Sequence, residues 1–345
     1  MLPSPKKSAA THEKMLANAA KAEARKLVPQ QMGFWPDDRR AIANELARSA
    51  LFQCRDNRKK REFYDNVALF MLGEGALTYK GEELRERDED IWVTLTHYAR
   101  DMEAGKLVVS ISSSEICKQN KWRQDQRYYN EIYKSIQRMK GGVITVFSRR
   151  LAKTIKYEKA LQARASDTEL AKLYEEIEKY ERRVAEGLNI DLNDPDGMGG
   201  MMMSLIGGET TFTGSTGLDA DNIPQGNLQW DIVLDRKMVS LFAKAYLTLV
   251  DHETRQSLTA TGKRLQTYFL SHKKPYPVNL RNLEKMLGLN FGKLPALKLY
   301  ITEQLKQLQA HGVIHDFSFE KNADKTDWKV TVHREDPSKR DDPRK

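Results

Sequence analysis

One stretch decides the fold of this chain, KQNKWRQDQRYYNEIYKSIQRMKGGVITVFSRR, residues Lys118–Arg150. Its apolar side chains at Tyr129, Ile132, Ile136 and Met139 have the 3-4-3 spacing of a helix that buries one stripe. Two glycines at 141 and 142 then end the helix, and the β-rich run at 143–147 predicts a strand. The stretch therefore predicts a helix, a tight turn and a strand in this order.

The same stretch carries concentrated positive charge. Nine lysines and arginines oppose only Asp125 and Glu131, a local balance of +7 in a chain of net charge +9. Upstream, residues 112–115 read as the cap of a short helix that ends near Asn120. Two helices around a turn at Lys121, followed by a strand with a basic end, are the layout of a winged-helix domain that binds DNA.

The second half of the chain repeats this order of elements. A short strand at 278–280 leads into a short helix that Gly288 ends, and Pro295 opens a longer helix. Strand patterns at 313–319 and 328–332 follow, and residues 263–306 again have a balance of +7. The repeat is one of architecture rather than of sequence, and it predicts an α+β protein with two tandem winged-helix domains.

The expected domain limits follow from the changes in composition. Residues 1–34 are a basic, flexible tail, 35–235 the first winged-helix domain, 236–333 the second, and 334–345 a charged tail. The first domain contains an insertion at 151–228, with an amphipathic helix up to Gly187 and a glycine- and methionine-rich loop that we expect to be partly disordered. A strand at 229–234 is expected beside the strand at 143–147, and helices at 236–250 and 256–271.

Composition excludes several classes of protein. The 345 residues include 30% charged side chains and no apolar run of about 18 residues, so we expect a cytoplasmic protein without a membrane span. Cys54 and Cys117 form no metal-binding spacing and are expected to be buried thiols. The acidic residues between Glu82 and Asp90 are interleaved with Arg85 and Arg87, which argues against a metal site. We expect no cofactor.

A recognition helix places polar side chains at base edges in the major groove, while flanking cations hold phosphates. On this basis the expected DNA-binding residues of the first domain are Arg123, Gln126, Arg127, Asn130, Lys134, Arg149 and Arg150. Those of the second domain are His272, Lys273, Lys274, Lys293, Lys298, Thr302, Lys306, Lys321 and Lys325. A solvated basic face is the alternative for either helix alone, but two helices in matching contexts favour DNA binding.

Signals for an enzyme are weak. The sequence around Lys263 lacks the first glycine and the Ser or Thr of a P-loop. His252 and Arg255 match the His-x-x-Arg element of tyrosine recombinases, with downstream candidates for the nucleophile at Tyr268, Tyr276 and Tyr300. We therefore expect no catalytic residues, and a recombinase-type DNA enzyme remains the weaker alternative.

Four segments together resemble the TrfA-type replication initiators of broad-host-range plasmids. They are ARSALF at 47–52, YKGEELRERDEDIW at 79–92, WRQDQRYYNEIYKSIQRM at 122–139 and LFAKAYLTLVDHETRQSLTATGKRLQTYFLSHKKPYPVNL at 241–280. The resemblance implies tandem winged helices that bind direct repeats, called iterons, at a plasmid origin as a monomer. It also implies opening of an adjacent AT-rich region and recruitment of the host initiator and the replicative helicase.

The resemblance further implies a homodimer as the inactive form, which acts in plasmid copy control. Residues Gln31, Met32, Phe34 and Trp35 resemble the peptides that dock on the bacterial sliding clamp, although the motif departs from the family's glutamine-leucine-x-leucine-phenylalanine pattern. The alternative for this segment is an aromatic anchor that pins the tail to the first domain. A winged-helix transcriptional repressor is the alternative for the protein as a whole.

Overall fold

A computed structural model describes residues 35–334, apart from 101, 103–106, 187–196, 236, 238–240 and 243–246. The expected tail at 1–34, with Gln31, Met32 and Phe34, lies outside the described residues, as does 335–345. No helix in the described ranges is both long enough and apolar enough to cross a membrane.

Ten helices lie in the described part of the chain. In chain order they are α1 Asn44–Ala47, α2 Glu86–Tyr98, α3 Ser113–Gln119, α4 Gln126–Gly141, α5 Arg149–Gln162, α6 Asp167–Glu186, α7 His252–Ser257, α8 Ala260–Leu270, α9 Leu280–Leu287 and α10 Leu294–Ala310. The strands are β1 Arg39–Ala43, β2 Phe52–Gln53, β3 Phe63–Leu69, β4 Ala76–Glu82, β5 Leu84–Arg85, β6 Val108–Ser112, β7 Val143–Ser148, β8 Gly199–Met203, β9 Thr211–Thr213, β10 Gly217–Leu218, β11 Pro224–Gln225, β12 Gln229–Val233, β13 Leu247–Asp251, β14 Val278–Asn279, β15 Asp316–Lys321 and β16 Trp328–His333.

The first winged helix consists of α2, β6, α3, α4 and the hairpin of β9 and β12. Strand β12 lies in the middle of its sheet, with β6 and β9 antiparallel on either side. Alternate residues of β6 and β12 face the core, and Val109, Ile111, Trp230 and Ile232 are all buried. This three-stranded sheet closes over the helix-turn-helix of α3 and α4.

The second winged helix repeats this arrangement with α8, β14, α9, α10 and the hairpin of β15 and β16. Its strand order is β14-β16-β15, which matches β6-β12-β9 of the first. Helix α9 ends at Gly288, whose φ of 66° is left-handed, and a Cβ there would lie 2.7 Å from the side chain of Gln53. The repeated strand order confirms the prediction of two tandem winged helices.

Two expectations about strand pairing in the first domain were wrong. Strand β7 does not form the wing, because it pairs with β4 and β8 in a separate four-stranded sheet of order β3-β4-β7-β8. Strand β12 accordingly lies beside β6 and not beside β7. The described part of the glycine- and methionine-rich loop contributes β8 to β11, and the alternating side chains of Met201 and Met203 are buried against the core.

The segment between the two domains also differs from the expectation. Part of the helix expected at 236–250 is strand β13, which pairs antiparallel with β1. The side chain of Val250, on β13, packs in the first hydrophobic core, and the second core begins at Leu258. These cores favour a domain boundary between Asp251 and Leu258. Helices α5 and α6 pack against each other around Tyr157 and Leu173 as a separate small cluster.

Buried ion pairs join the two domains. Glu89, on α2, pairs with Arg255 at 3.0 Å and with Arg264 at 2.5 Å, and all three side chains are at most 1% exposed. Asp90 pairs with Arg255 at 3.1 Å and with Lys263 at 2.5 Å. The free-energy cost of burying these charges is compensated by their partners only when the two domains are in contact. This joint, formed by Glu89, Asp90, Arg255, Lys263 and Arg264, therefore holds α2 against α7 and α8.

Candidate nucleic-acid interface

The recognition helix of the first domain, α4, has one buried and one exposed face. Asp125 caps its N-terminus by accepting a hydrogen bond from the backbone of Tyr128. Ile132, Ile136 and Met139 are buried as predicted. On the opposite face lie the exposed side chains of the helix and its preceding turn, which include Arg123, Arg127, Lys134 and Gln137.

The wing of the first domain covers the start of α4. The Gln126 side chain accepts a hydrogen bond from the backbone N–H of Gly226 at 2.9 Å. The amide of Asn130 donates to Asp219 at 3.2 Å, and Gln225 donates to the same carboxylate oxygen at 3.0 Å. Gln126 and Asn130, two expected base-reading residues, are thus engaged by their own wing.

Two other expected DNA contacts of this domain have internal partners. Arg150 is fully buried, and its guanidinium donates to Glu45 at 2.6 and 2.9 Å. The assignment of Arg150 to DNA was wrong, because the start of α5 faces the core. Arg149 is mostly buried and both its backbone and its side chain donate to Glu74. Helix α5 is therefore positioned by carboxylates of the protein itself.

The recognition helix of the second domain, α10, presents its expected residues along one line. Lys298, Thr302 and Lys306 recur every fourth residue, and the hydroxyl of Thr302 donates to the backbone carbonyl of Lys298 at 2.8 Å. Lys306 is well exposed and pairs with Glu303 at 3.1 Å. Lys293 lies exposed at the N-cap. Leu299, 66% exposed, adds an apolar contact surface to this face.

Aromatic side chains of the wing hold Lys298 in place. Its ammonium lies 3.3 Å from the ring centroid of Trp328 and 5.1 Å from that of Phe319. Lys321 approaches the Trp328 ring from the wing at 5.6 Å. Lys325 is exposed at the wing turn with a left-handed φ of 60°. Cation–π contacts thus fix two lysines between the helix and the wing without neutralising their charge.

His272 does not reach the surface. It is 7% exposed, its Nδ1 lies 3.1 Å from the carbonyl of Tyr268, and burial with Arg48 nearby lowers its pKa to about 3. The expectation of a phosphate contact at His272 was therefore wrong, because a buried neutral imidazole carries no positive charge. The adjacent Lys273 and Lys274 are exposed.

Trp35 is part of the first core. It is 1% exposed, its indole donates to Nδ1 of His97 at 3.1 Å, and its ring stacks on Phe242. Burial here agrees with the aromatic-anchor alternative and leaves Trp35 unavailable to a clamp while this packing lasts. Burial and neighbouring Arg40 and Arg100 lower the pKa of His97 to about 3, so its ring accepts the indole hydrogen bond as a neutral group.

Arg255, the arginine of the recombinase-like His-x-x-Arg element, is buried. Arg255 is buried in the ion pairs with Glu89 and Asp90, and Tyr268 is 3% exposed. Neither side chain is accessible at the surface in this conformation. Sequence reasoning missed the partners of Arg255, because Glu89 lies 166 residues away in the chain. The acidic residues at 82–90 were a sequence signal for these ion pairs, because buried carboxylates need nearby cations.

Comparison with known proteins agrees with this arrangement. The family model described as TrfA protein matches residues 6–170 and 225–325. The plasmid replication initiator protein TrfA of Escherichia coli is 23% identical over 282 residues, which are 81% of this chain and 59% of that protein. The chain thus spans somewhat more than half the length of this relative.

A solved structure shares the fold. The crystal structure of domains 2 and 3 of RctB superposes with a TM-score of 0.51 at 12% sequence identity. The match covers 84% of this chain and 98% of that one. Because the family model matches well over half of the residues, the chain belongs to the TrfA family.

Proposed function

We propose that the chain is a plasmid replication initiator that binds direct repeats at the origin as a sequence-specific, non-enzymatic DNA-binding protein. The observation that carries the proposal is the pair of winged helices with identical strand order, each with an exposed basic recognition helix. Membership in the TrfA family supports the same function. Opening of an adjacent AT-rich region and recruitment of the host initiator and helicase belong to this proposal.

The second domain is the one that reads bases. Lys298, Thr302 and Lys306 form a continuous line on α10, in which Lys298 and Thr302 are half-buried and Lys306 is exposed, and the wing carries further lysines beside it. In the first domain, Arg123, Arg127 and Lys134 offer charge, while Gln126 and Asn130 are held by the wing. Because its wing holds both amide side chains, we assign the first domain to phosphate contacts, for which its exposed cations are sufficient.

Homodimerisation and sliding-clamp binding are further parts of the proposal. Clamp binding through the segment that ends at Trp35 requires the indole to leave its site beside His97 and Phe242. Clamp binding should therefore compete with docking of this segment onto the first domain. A fluorescence change of Trp35 on addition of purified clamp, in a variant whose other tryptophans are phenylalanine, would measure the release.

The test of function is binding and opening of origin DNA. The purified chain should footprint direct repeats of about two helical turns in the DNA beside its gene. It should also render a neighbouring AT-rich tract reactive to permanganate, with host initiator present. A repressor would give the footprint without the opening, and equal affinity for repeats and scrambled DNA would contradict sequence-specific binding altogether.

A further inference from the structure

The loop between β2 and β3 carries a second kind of basic surface. Residues 55–61 read RDNRKKR, five cations and one carboxylate in seven positions. This run lies outside both helix-turn-helix segments and was not among the residues that sequence reasoning selected. The high density of positive charge in residues 55–61 was the signal that could have identified this run as a binding surface.

The loop is tied to both domains. At its start, the backbone N–H of Cys54 donates to the carbonyl of Leu287 at 2.8 Å, and Arg55 donates to the carbonyl of Gly288 at 3.2 Å. Both carbonyls lie at the turn that leads into α10. At its end, Arg61 pairs with Asp88 at 2.7 Å and lies 3.5 Å from Glu131 on α4. The loop therefore runs from the turn of one recognition unit to the recognition helix of the other.

A buried arginine fixes the backbone of the loop. Arg85, 1% exposed, donates from its guanidinium to the carbonyls of Asp56, Lys59 and Lys60. It also pairs with the buried Glu83 at 2.6 Å. One side chain thus holds three carbonyls along the loop, which gives the loop a defined shape before any ligand binds.

The arginines and lysines of the loop have different roles. Arg55 pairs with Glu62 at 2.9 Å, Arg58 pairs with Asp56 at 3.1 Å, and Arg61 pairs with Asp88. Lys59 and Lys60 stand exposed at the outer side of the loop. Arg55 and Arg61 therefore secure the loop. Arg58 is exposed and paired with Asp56 of the same loop, and Lys59 and Lys60 are its other outward-facing charges.

The loop borders the exposed face of α4. Where it enters β3, Phe63 is 69% exposed and lines a groove of about 500 Å³ together with Glu82, Lys134 and Gln137. The groove places the end of the loop beside exposed residues of the first recognition helix. A duplex that touches both α4 and α10 would consequently pass close to this loop.

We propose that Lys59 and Lys60 bind the DNA backbone between the segments held by the two recognition helices. This inference rests on the proposed function and extends it to a phosphate clamp built from the β2–β3 loop. The expected ligand groups are phosphates rather than bases, because lysine ammonium groups on a fixed loop act as point charges. An acidic protein partner would use the same charges, and the salt dependence of DNA binding separates the two.

The test compares two double variants of the full chain. In Lys59→Ala/Lys60→Ala, the slope of log affinity against log salt should become shallower by about 1.8, or about 0.9 per lost phosphate contact. Lys172→Ala/Lys179→Ala, at exposed positions of α6, is the matched control and should keep the wild-type slope. The ratio of affinities for repeat and scrambled DNA should not change in either variant.

The outcome separates this inference from the proposed function. If the wild type prefers repeats and the loop variant keeps its slope, the phosphate clamp is wrong and repeat binding stands. If the wild type shows no preference for repeats, scrambled duplex still tests the loop, because backbone contacts need no sequence. An unchanged slope there, or an equal drop in the α6 control, overturns the clamp.

Discussion

The recognition helices of the two domains differ in what stands against their polar faces. Helix α4 has the wing of its own domain hydrogen-bonded to Gln126 and Asn130, and Asp219 brings negative charge to this wing. Helix α10 has Trp328 and Phe319 of its wing packed against Lys298. One wing thus occupies amide groups suited to bases, while the other supports a cation and leaves it charged.

If both recognition helices bind DNA as proposed, this difference gives one fold two modes of DNA contact. The strand order and helix order are the same in both domains, so the framework does not decide the mode. We propose that the wing decides the mode of contact, through the side chains that it places on the recognition helix. We therefore expect the second domain to discriminate between sequences and the first domain to add affinity without discrimination.

The largest expected effect would break the joint that both domains share. Glu89→Ala leaves Arg255 and Arg264 buried without one of their carboxylates, which should cost about 3–5 kcal/mol of unfolding free energy. Urea denaturation measures the loss, with Glu175→Ala on the exposed side of α6 as the control. A change below about 1 kcal/mol would show that water or rearrangement compensates the two arginines.

The second effect tests the division between the recognition helices. Lys298→Ala/Lys306→Ala should weaken binding to repeats by about 2–3 kcal/mol and should reduce the preference over scrambled DNA. Arg127→Ala/Lys134→Ala should weaken binding to both DNAs by the same factor. Fluorescence anisotropy at several salt concentrations measures both, and each lost phosphate contact should lower the slope by about 1.

Two results would contradict this assignment of base readout to α10 and phosphate contact to α4. If the first-domain variant lost the preference and the second-domain variant kept it, the assignment of base readout would have to be reversed. Unchanged footprints with Lys298→Ala/Lys306→Ala would remove α10 from the interface.

The third effect concerns the buried histidines, one in each domain. The pKa of His272 and that of His97 are each lowered to about 3, so both stay neutral in the folded protein while they ionise near pH 6.5 when unfolded. Their contribution to stability is complete above pH 6.5 and is lost as pH falls. At pH 5 each should cost about 2 kcal/mol relative to neutral pH.

Replacement of either histidine should remove its share of this acid sensitivity. His272→Gln should lose less stability than wild type between pH 7.5 and pH 5, and His97→Gln should behave in the same way. Differences between variant and wild type are the measure, because burial raises the pKa of Glu86 and Glu181 to about 7 and adds an opposite dependence. Equal losses in variant and wild type would mean that the histidine is protonated or hydrated when folded.

The smallest expected effect sharpens the contrast between the wings. Asp219→Asn removes one negative charge beside α4 but keeps an acceptor for Asn130 and Gln225. Binding to any duplex should tighten by about 0.5–1 kcal/mol at low salt, and the gain should shrink as salt rises. Asp167→Asn at the start of α6 is the control. Weaker binding in Asp219→Asn would show that the carboxylate is needed to order the wing for DNA.

The second domain was the more predictable of the two. Its helices and hairpin follow one another without interruption, so the helical spacing from Leu297 to Leu308 and the stop at Gly288 were sufficient. In the first domain, residues 142–210 separate α4 from its wing, and the first strand after the glycines joins another sheet. Local patterns predict that 143–147 is a strand but contain no information on which strand it pairs with.

The charged residues show a second limit of sequence reasoning. Arg150 and Lys134 belong to the same basic stretch, yet Arg150 is fully buried against Glu45 and Lys134 is exposed. Their difference depends on a carboxylate 105 residues away. Lys298 and Lys306 could be selected from helical spacing alone, because their position off the buried stripe follows from the same helix, although contact of Lys298 with Trp328 could not.

The ion-paired joint of α2 with α7 and α8 should make DNA binding sensitive to the helical phase between the two halves of a repeat. With Glu89 and Asp90 locked onto Arg255, Arg264 and Lys263, the two recognition helices cannot slide independently along a duplex. A repeat lengthened by about five base pairs between its two halves would turn one half to the far side of the duplex, out of reach of its helix. Under the proposed function, binding should therefore depend on the spacing within each repeat as well as on its bases, through ion pairs that do not contact DNA.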